Sequence, residues 1–133
     1  MSKITAGKVV LNHIALHVKN IHESGEFYEK VLLLKSIPEP FKDSLHLWYQ
    51  IGVNCQLHII ESTVEVIVPE KTTHFSFCVE AIDEFMAHLD KFDIDYGNWE
   101  GIPKTPTVRG DGIKQIFFQD PNGYWIEINN DHP

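Results

Sequence analysis

The chain is short of positive charge. Eleven Lys and Arg stand against 19 Asp and Glu, a formal net charge of −8, and the basic residues form no block. Contact with a phosphate backbone needs clustered cations, so nucleic acid is excluded as an expected partner. Cysteine is scarce too: Cys55 and Cys78 are the two, without a CxxC spacing. That rules out a disulfide framework or a zinc ribbon, leaves two reduced thiols, and leads us to expect a cytoplasmic protein. No apolar run approaches the roughly 20 residues that span a bilayer. The opening "MSKITAGKVV" also lacks the apolar stretch of a secretory signal, so no membrane partner is expected. Nor is there a Gly-rich phosphate loop, a P-loop or a Ser-His-Asp order.

What the sequence does have is enough apolar material for a core. Hydrophobic residues make up 43% of 133, which suits one domain spanning 1–133 with most of its apolar surface buried.

It also has an internal repeat. "HIALHVKNI" from His13 overlays "HFSFCVEAI" from His74 at an offset of 61, and "LWYQIGVNCQLHI" from Leu47 overlays "IFFQDPNGYWIEI" from Ile116 at an offset of 69. The second copy therefore carries eight extra residues, expected within the Gly- and Pro-rich passage 95–112. Each copy begins with a half-buried strand, 12–19 and 73–80, and continues into an amphipathic helix. In the first helix Asn20 and Glu23 form a capping-box pattern, with Phe27, Val31 and Leu34 at helical spacing; in the second, Ile82, Phe85, Met86 and Leu89 make the stripe. Gly25, inside the first helix, marks close packing on the sheet. About three strands follow in each copy, closing on the hairpin turns "QIGVN" and "QDPNG". The modules cover about 9–62 and about 72–130. The expected class is α+β: two tandem modules whose helices cover the outer face of mixed sheets, which curve around a cavity in a U shape.

Parity along the strands then sorts the side chains. His13, Ala15 and His17 oppose Ile14, Leu16 and Val18. His58 opposes Leu57 and Ile59, His74 opposes Phe75 and Phe77, and Glu127 opposes Ile126 and Ile128. A single His on a strand is usually a satisfied polar group. Here, however, a repeat aligned on apolar and turn residues brings His13 onto His74 and His58 onto Glu127. Four metal-competent groups at two equivalent pairs of positions point to joint ligation of a divalent cation by His13, His58, His74 and Glu127. Zn, Ni, Fe, Co and Mn all suit such donors. His17 lies on the same face, where it can line the pocket. Arg109, in the long connection, is a candidate to meet an anionic substrate. Trp48, Tyr49, Trp99, Tyr124 and Trp125 are either pocket walls or core.

The stretches "LNHIALHVKNIHESGEFYEKVL", "THFSFCV" and "IFFQDPNGYWIEI" together resemble the vicinal oxygen chelate superfamily, which includes glyoxalase I, extradiol dioxygenases and bleomycin-binding proteins. The likeness covers residues 9–130. It implies paired βαβββ modules and, often, a homodimer. It also implies a divalent metal held by the first and last strands of each module, here His13, His58, His74 and Glu127. Glyoxalase I-like chemistry on a small-molecule substrate is implied first: proton transfer by Glu127 through an enediolate, as in a lactoylglutathione lyase. His58 stands where glyoxalase I commonly has Glu, and His17 where it commonly has Arg. The alternatives are an Fe(II) extradiol-type dioxygenase using His13, His74 and Glu127, and a drug-sequestering protein without turnover.

Overall fold

The structure is a computed structural model that describes residues 3–132; Met1, Ser2 and Pro133 lie outside it. It divides into two compact units, with the break between Val66 and Ile67.

In the first unit, β1 (His13–Val18) leads into helix α1 (Ile21–Glu26), then β2 (Lys35–Ile37), β3 (His46–Gln50) and β4 (Gln56–Glu61). The sheet order is β1-β4-β3-β2, with β1 parallel to β4 and the other pairs antiparallel. Leu16, Val18, Tyr49, Leu57 and Ile59 are buried on one face, as the alternation predicts. Full burial of an apolar side chain of this size contributes about 1.5–3 kcal/mol.

Asn20 caps α1 as expected, its side chain accepting from the Glu23 N–H at 3.0 Å. A Cβ on Gly25 would come within 2.8 Å of Leu47 Cδ1, so the absent side chain lets α1 sit directly on β3. The helix does not carry its stripe to Leu34. It passes into a π-helical stretch, Phe27–Val31, where the Leu32 N–H reaches back to the Phe27 carbonyl at 3.1 Å. The wider turn shifts the buried stripe to Phe27, Tyr28, Val31 and Leu32. Leu33, at φ 58°, then ends the helix and puts Leu34 beyond it.

The second unit repeats this plan: β5 (Phe75–Cys78), helix α2 (Ile82–Lys91), β6 (Tyr96–Gly97), β7 (Thr107–Val108), β8 (Lys114–Gln119) and β9 (Trp125–Asn129). Its order is β5-β9-β8-β6, with β7 also on β8 and β5 parallel to β9. Ile82 and Leu89 of α2 are buried, and Phe85 places its ring 6.5 Å from Phe118 of β8. The β8–β9 turn is "DPNG", where the buried Asp120 carboxylate accepts from the Asn122 and Tyr124 N–H groups at 2.8 and 2.9 Å. Gly123 supplies the required φ of 97°.

The register confirms both offsets of the repeat. Ala15 pairs with His58 across β1–β4, and Ser76 pairs with Glu127 across β5–β9. The extra residues lie between β6 and β8, where 98–113 replaces the shorter 38–45 between β2 and β3. The chain is thus a mixed α+β fold with one mixed sheet in each unit, and each helix lies on one face of its own sheet.

Candidate metal centre

In the first unit the open face of the sheet carries rings from three adjacent strands. Strands spaced about 4.8 Å apart bring aromatic neighbours into stacking range. His58 lies between His13, 4.2 Å away and 15° from parallel, and Trp48, 3.8 Å away and 3° from parallel. His13 Nδ1 is 2.6 Å from Asn12 Oδ1, an oxygen that can only accept. The proton is therefore on Nδ1, and Nε2 keeps its lone pair. The same logic inverts His58: its Nε2 donates to Gln56 Oε1 at 2.8 Å, so Nδ1 carries the lone pair.

Burial, reinforced by the neighbouring His13 and His46, holds His58 below its ordinary value of 6.5, so the ring is neutral at pH 7. The unfolded chain binds this proton more readily than the folded one. Stability is therefore expected to fall as pH drops below about 6.5 towards the lower folded value, and to be fully present above it. Urea denaturation at several pH values should show this slope reduced in His58→Gln; equal slopes would remove His58 as its source.

Around these rings is a cavity of about 460 Å³, lined by Asn12, Ala15, Phe41, His46 and Ile60 besides the stacked residues, with no Lys or Arg among the lining residues. His46 and Phe41 escaped the sequence reading. The alternation along β3 was the available signal, since His46 and Trp48 stand two residues apart and so share a face.

The second unit builds a different pair. His74 immediately precedes β5, and its Nδ1 lies 2.9 Å from the Lys71 carbonyl, which fixes Nδ1 as a donor. Its Nε2 is 3.3 Å from Glu127 Oε1. Glu127 is 7% exposed, and its other oxygen is fully engaged: Oε2 accepts from Ser76 Oγ at 3.1 Å and from Asn129 Nδ2 at 2.6 Å. Asn129 Nδ2 also donates to Ser76 Oγ at 3.0 Å, closing the triangle. One carboxylate oxygen is clamped, and the other is aimed at an imidazole nitrogen.

With Nδ1 donating, Nε2 and Glu127 Oε1 face each other as two acceptors, and a proton or a cation shared by both atoms fills the gap between them. Two atoms bound to one tetrahedral metal at about 2.1 Å lie about 3.4 Å apart, close to the separation found here. The supports on His13 and His74 through Nδ1, and on Glu127 through Oε2, are those that orient metal ligands. The donor chemistry therefore fits a divalent ion. Among the described residues no group of three or more His, Cys, Asp and Glu side chains is gathered to hold one: His13 and His58 lie together in the first unit, and His74 and Glu127 in the second.

Lys71 was not singled out from sequence. Its ammonium donates to the Asn98 and Trp99 carbonyls at 3.0 and 2.9 Å and lies about 5 Å from the ring centres of Trp99, Phe117 and Trp125. Phe117 in turn packs edge-on against His74 at 5.6 Å. A cavity of about 240 Å³ beside β8 is lined by Lys71, Tyr96, Lys104, Phe117 and Trp125, but not by His74 or Glu127.

The two candidates for substrate contact differ. His17 shares the face of His13 and pairs with Ile60 of β4. Arg109 is held by Asp111 at 2.6 Å and Asp131 at 3.2 Å, with Asp111 the main cause of its raised pKa. A guanidinium already facing two carboxylates is poorly placed to recruit another anion. Both cysteines are free, Cys78 exposed on β5 and Cys55 half-buried. Among the described residues no helix is long and apolar enough to cross a membrane.

Known proteins share this architecture. The solved structure of Oxidase ChaP-H1 superposes with a TM-score of 0.75 at 23% identity, covering 94% of this chain and 97% of that one. Lactoylglutathione lyase from Agrobacterium tumefaciens superposes with a TM-score of 0.69 at 14% identity, covering 93% and 94%. At these identities the likeness establishes the fold. In sequence, Glyoxylase I 4 of Arabidopsis thaliana is 29% identical over 126 residues, 90% of this chain and 70% of the relative. Together with two βαβββ-type units in tandem, a match of residues 10–128 to the family model shows that the chain belongs to the Glyoxalase/Bleomycin resistance protein/Dioxygenase superfamily.

Proposed function

We propose that the protein is a divalent-metal-dependent enzyme of the glyoxalase I type, a lyase or isomerase that moves a proton within a small oxygenated substrate. His13, His58, His74 and Glu127 are its metal ligands, and Glu127 is also the general base. The observation that carries this reading is the 3.3 Å approach of His74 Nε2 to Glu127 Oε1 while His74 Nδ1 is committed to donation. A bound divalent ion would act as a Lewis acid, polarising oxygens of the substrate. Glu127 Oε1 takes the proton, while Ser76 and Asn129 hold Oε2 and so keep the carboxylate oriented between turnovers. His17 lines the substrate side of β1. Arg109, engaged by its own carboxylates, is assigned no contact. The active form is a homodimer, consistent with the exposed run Val9, Val10 and Leu11 ahead of β1.

One observation favours a second reading. His58 is stacked on both faces and gives Nε2 to Gln56, which suits a ring that stays out of the coordination sphere. His13, His74 and Glu127 would then form the two-His, one-carboxylate set of an Fe(II) dioxygenase.

Assays with methylglyoxal and a panel of thiols, beside oxygen-electrode trials with catechols, separate the two. The expected result is lyase turnover that chelator abolishes and added Zn, Ni, Co or Mn restores, without oxygen uptake. Oxygen uptake with Fe(II) and no lyase turnover would install the dioxygenase. Absence of stoichiometric metal, with ligand binding indifferent to chelator, would make the protein a sequestering one.

A further inference from the structure

The two ends of Lys71 reach different parts of the second unit. Its backbone carbonyl accepts the His74 Nδ1 proton at 2.9 Å. Its side chain runs the other way, and the ammonium bonds the carbonyls of Asn98 and Trp99 at the start of the inserted 98–113 connection. Three aromatic rings surround that ammonium, with Nζ 5.2 Å from the centre of Trp99, 5.1 Å from Phe117 and 4.9 Å from Trp125. Two of these rings also touch the imidazole: Phe117 edge-on at 5.6 Å, and Trp99 at 6.2 Å.

We infer that Lys71 is a positioning residue, which anchors the inserted connection through its ammonium and thereby holds its own carbonyl where it fixes His74 Nδ1 as a donor, with Nε2 turned to Glu127. The inference rests on the proposed role of His74, but its physical content is the orientation of the ring. An ammonium bonded to two carbonyls and flanked by three rings holds one place, because cation–π attraction and charge-assisted hydrogen bonds add at the same point. The backbone of Lys71 is fixed with it. The Thr73 N–H closes the turn onto the Glu70 carbonyl at 2.9 Å, which carries that placement across to His74. Among the described residues the first unit shows no such device: the position aligned with Lys71 is Val10, exposed and outside the sheet, and His13 relies on the adjacent Asn12 instead.

The side chain can be changed while the carbonyl remains. Lys71→Met keeps an apolar stem against the rings but cannot donate; Lys71→Arg can sit over the same rings and donate to both carbonyls. In ¹⁵N-labelled, metal-free protein, the Nδ1 shift of His74 should report a protonated, hydrogen-bonded nitrogen in the wild type and in Lys71→Arg, and a partly unprotonated one in Lys71→Met. Where lyase turnover is measurable, Lys71→Met should lower kcat by about 10-fold or more, the usual size for loss of support to a ligand histidine, with KM within about twofold. An unchanged His74 spectrum in folded Lys71→Met would overturn the inference. So would a failure of Lys71→Arg to restore the spectrum. Both results are read without metal or substrate, so they stand apart from failure of the glyoxalase reading, which the turnover assays alone decide.

Discussion

Glu127→Gln is expected to lower turnover by about 10²- to 10⁴-fold while moving the melting temperature by no more than a few degrees. The two effects separate because glutamine can satisfy every hydrogen-bond partner of the glutamate. Its amide oxygen accepts from Ser76 Oγ and Asn129 Nδ2, as Oε2 does now, and its amide nitrogen takes the place of Oε1, where it donates to Nε2 of a neutral His74 ring. Packing is unchanged, since the residue lies between Ile126 and Ile128 on β9, both buried on the opposite face. What is lost is a negatively charged oxygen able to take a proton. Steady-state kinetics beside a thermal melt checks both halves. Turnover within a few-fold of wild type would take Glu127 out of the mechanism, whatever its position.

The largest stability effect is expected at Phe118. Phe117 and Phe118 are neighbours in sequence but face opposite sides of β8, as strand geometry requires. Phe118 is 1% exposed, lies across from Ile126 and Tyr96 in the strand ladders, and is the ring through which β8 meets Phe85 of α2. Truncation removes apolar burial and leaves a cavity where helix and sheet meet, so Phe118→Ala should cost about 3–5 kcal/mol. For a chain of this length that lowers the melting temperature by at least roughly 10 °C. Urea titration followed by circular dichroism measures it. A loss under about 1 kcal/mol would mean that α2 does not depend on this contact.

Much of this protein was legible in its sequence because repetition multiplies a weak signal. One strand histidine proves little, but two offsets, 61 and 69, fixed which residues are equivalent, and the pairing of Ala15 with His58 and of Ser76 with Glu127 shows the same correspondence in three dimensions. The Asn20 cap, the Gly25 contact and the turn at Asp120 were readable for a related reason: each depends on residues a few positions apart, or on one missing side chain. The end of the first helix was not. Helical periodicity carries on to Leu34, while a π-helical stretch followed by a residue of positive φ redistributes burial towards Leu32.

The sequence by itself determined the fold class, the tandem organisation and the side of each sheet that bears the polar groups, because alternation and repetition are properties of residue order. Tertiary structure alone decided which nitrogen of each imidazole is available, which oxygen of Glu127 is clamped, and that Arg109 is occupied by Asp111 and Asp131. The reason is that these depend on directional bonds between groups brought together by folding. The equivalent positions have unlike partners, Asn12 for His13 but the Lys71 carbonyl for His74, so even a repeat that locates the donors cannot reveal how they are aimed.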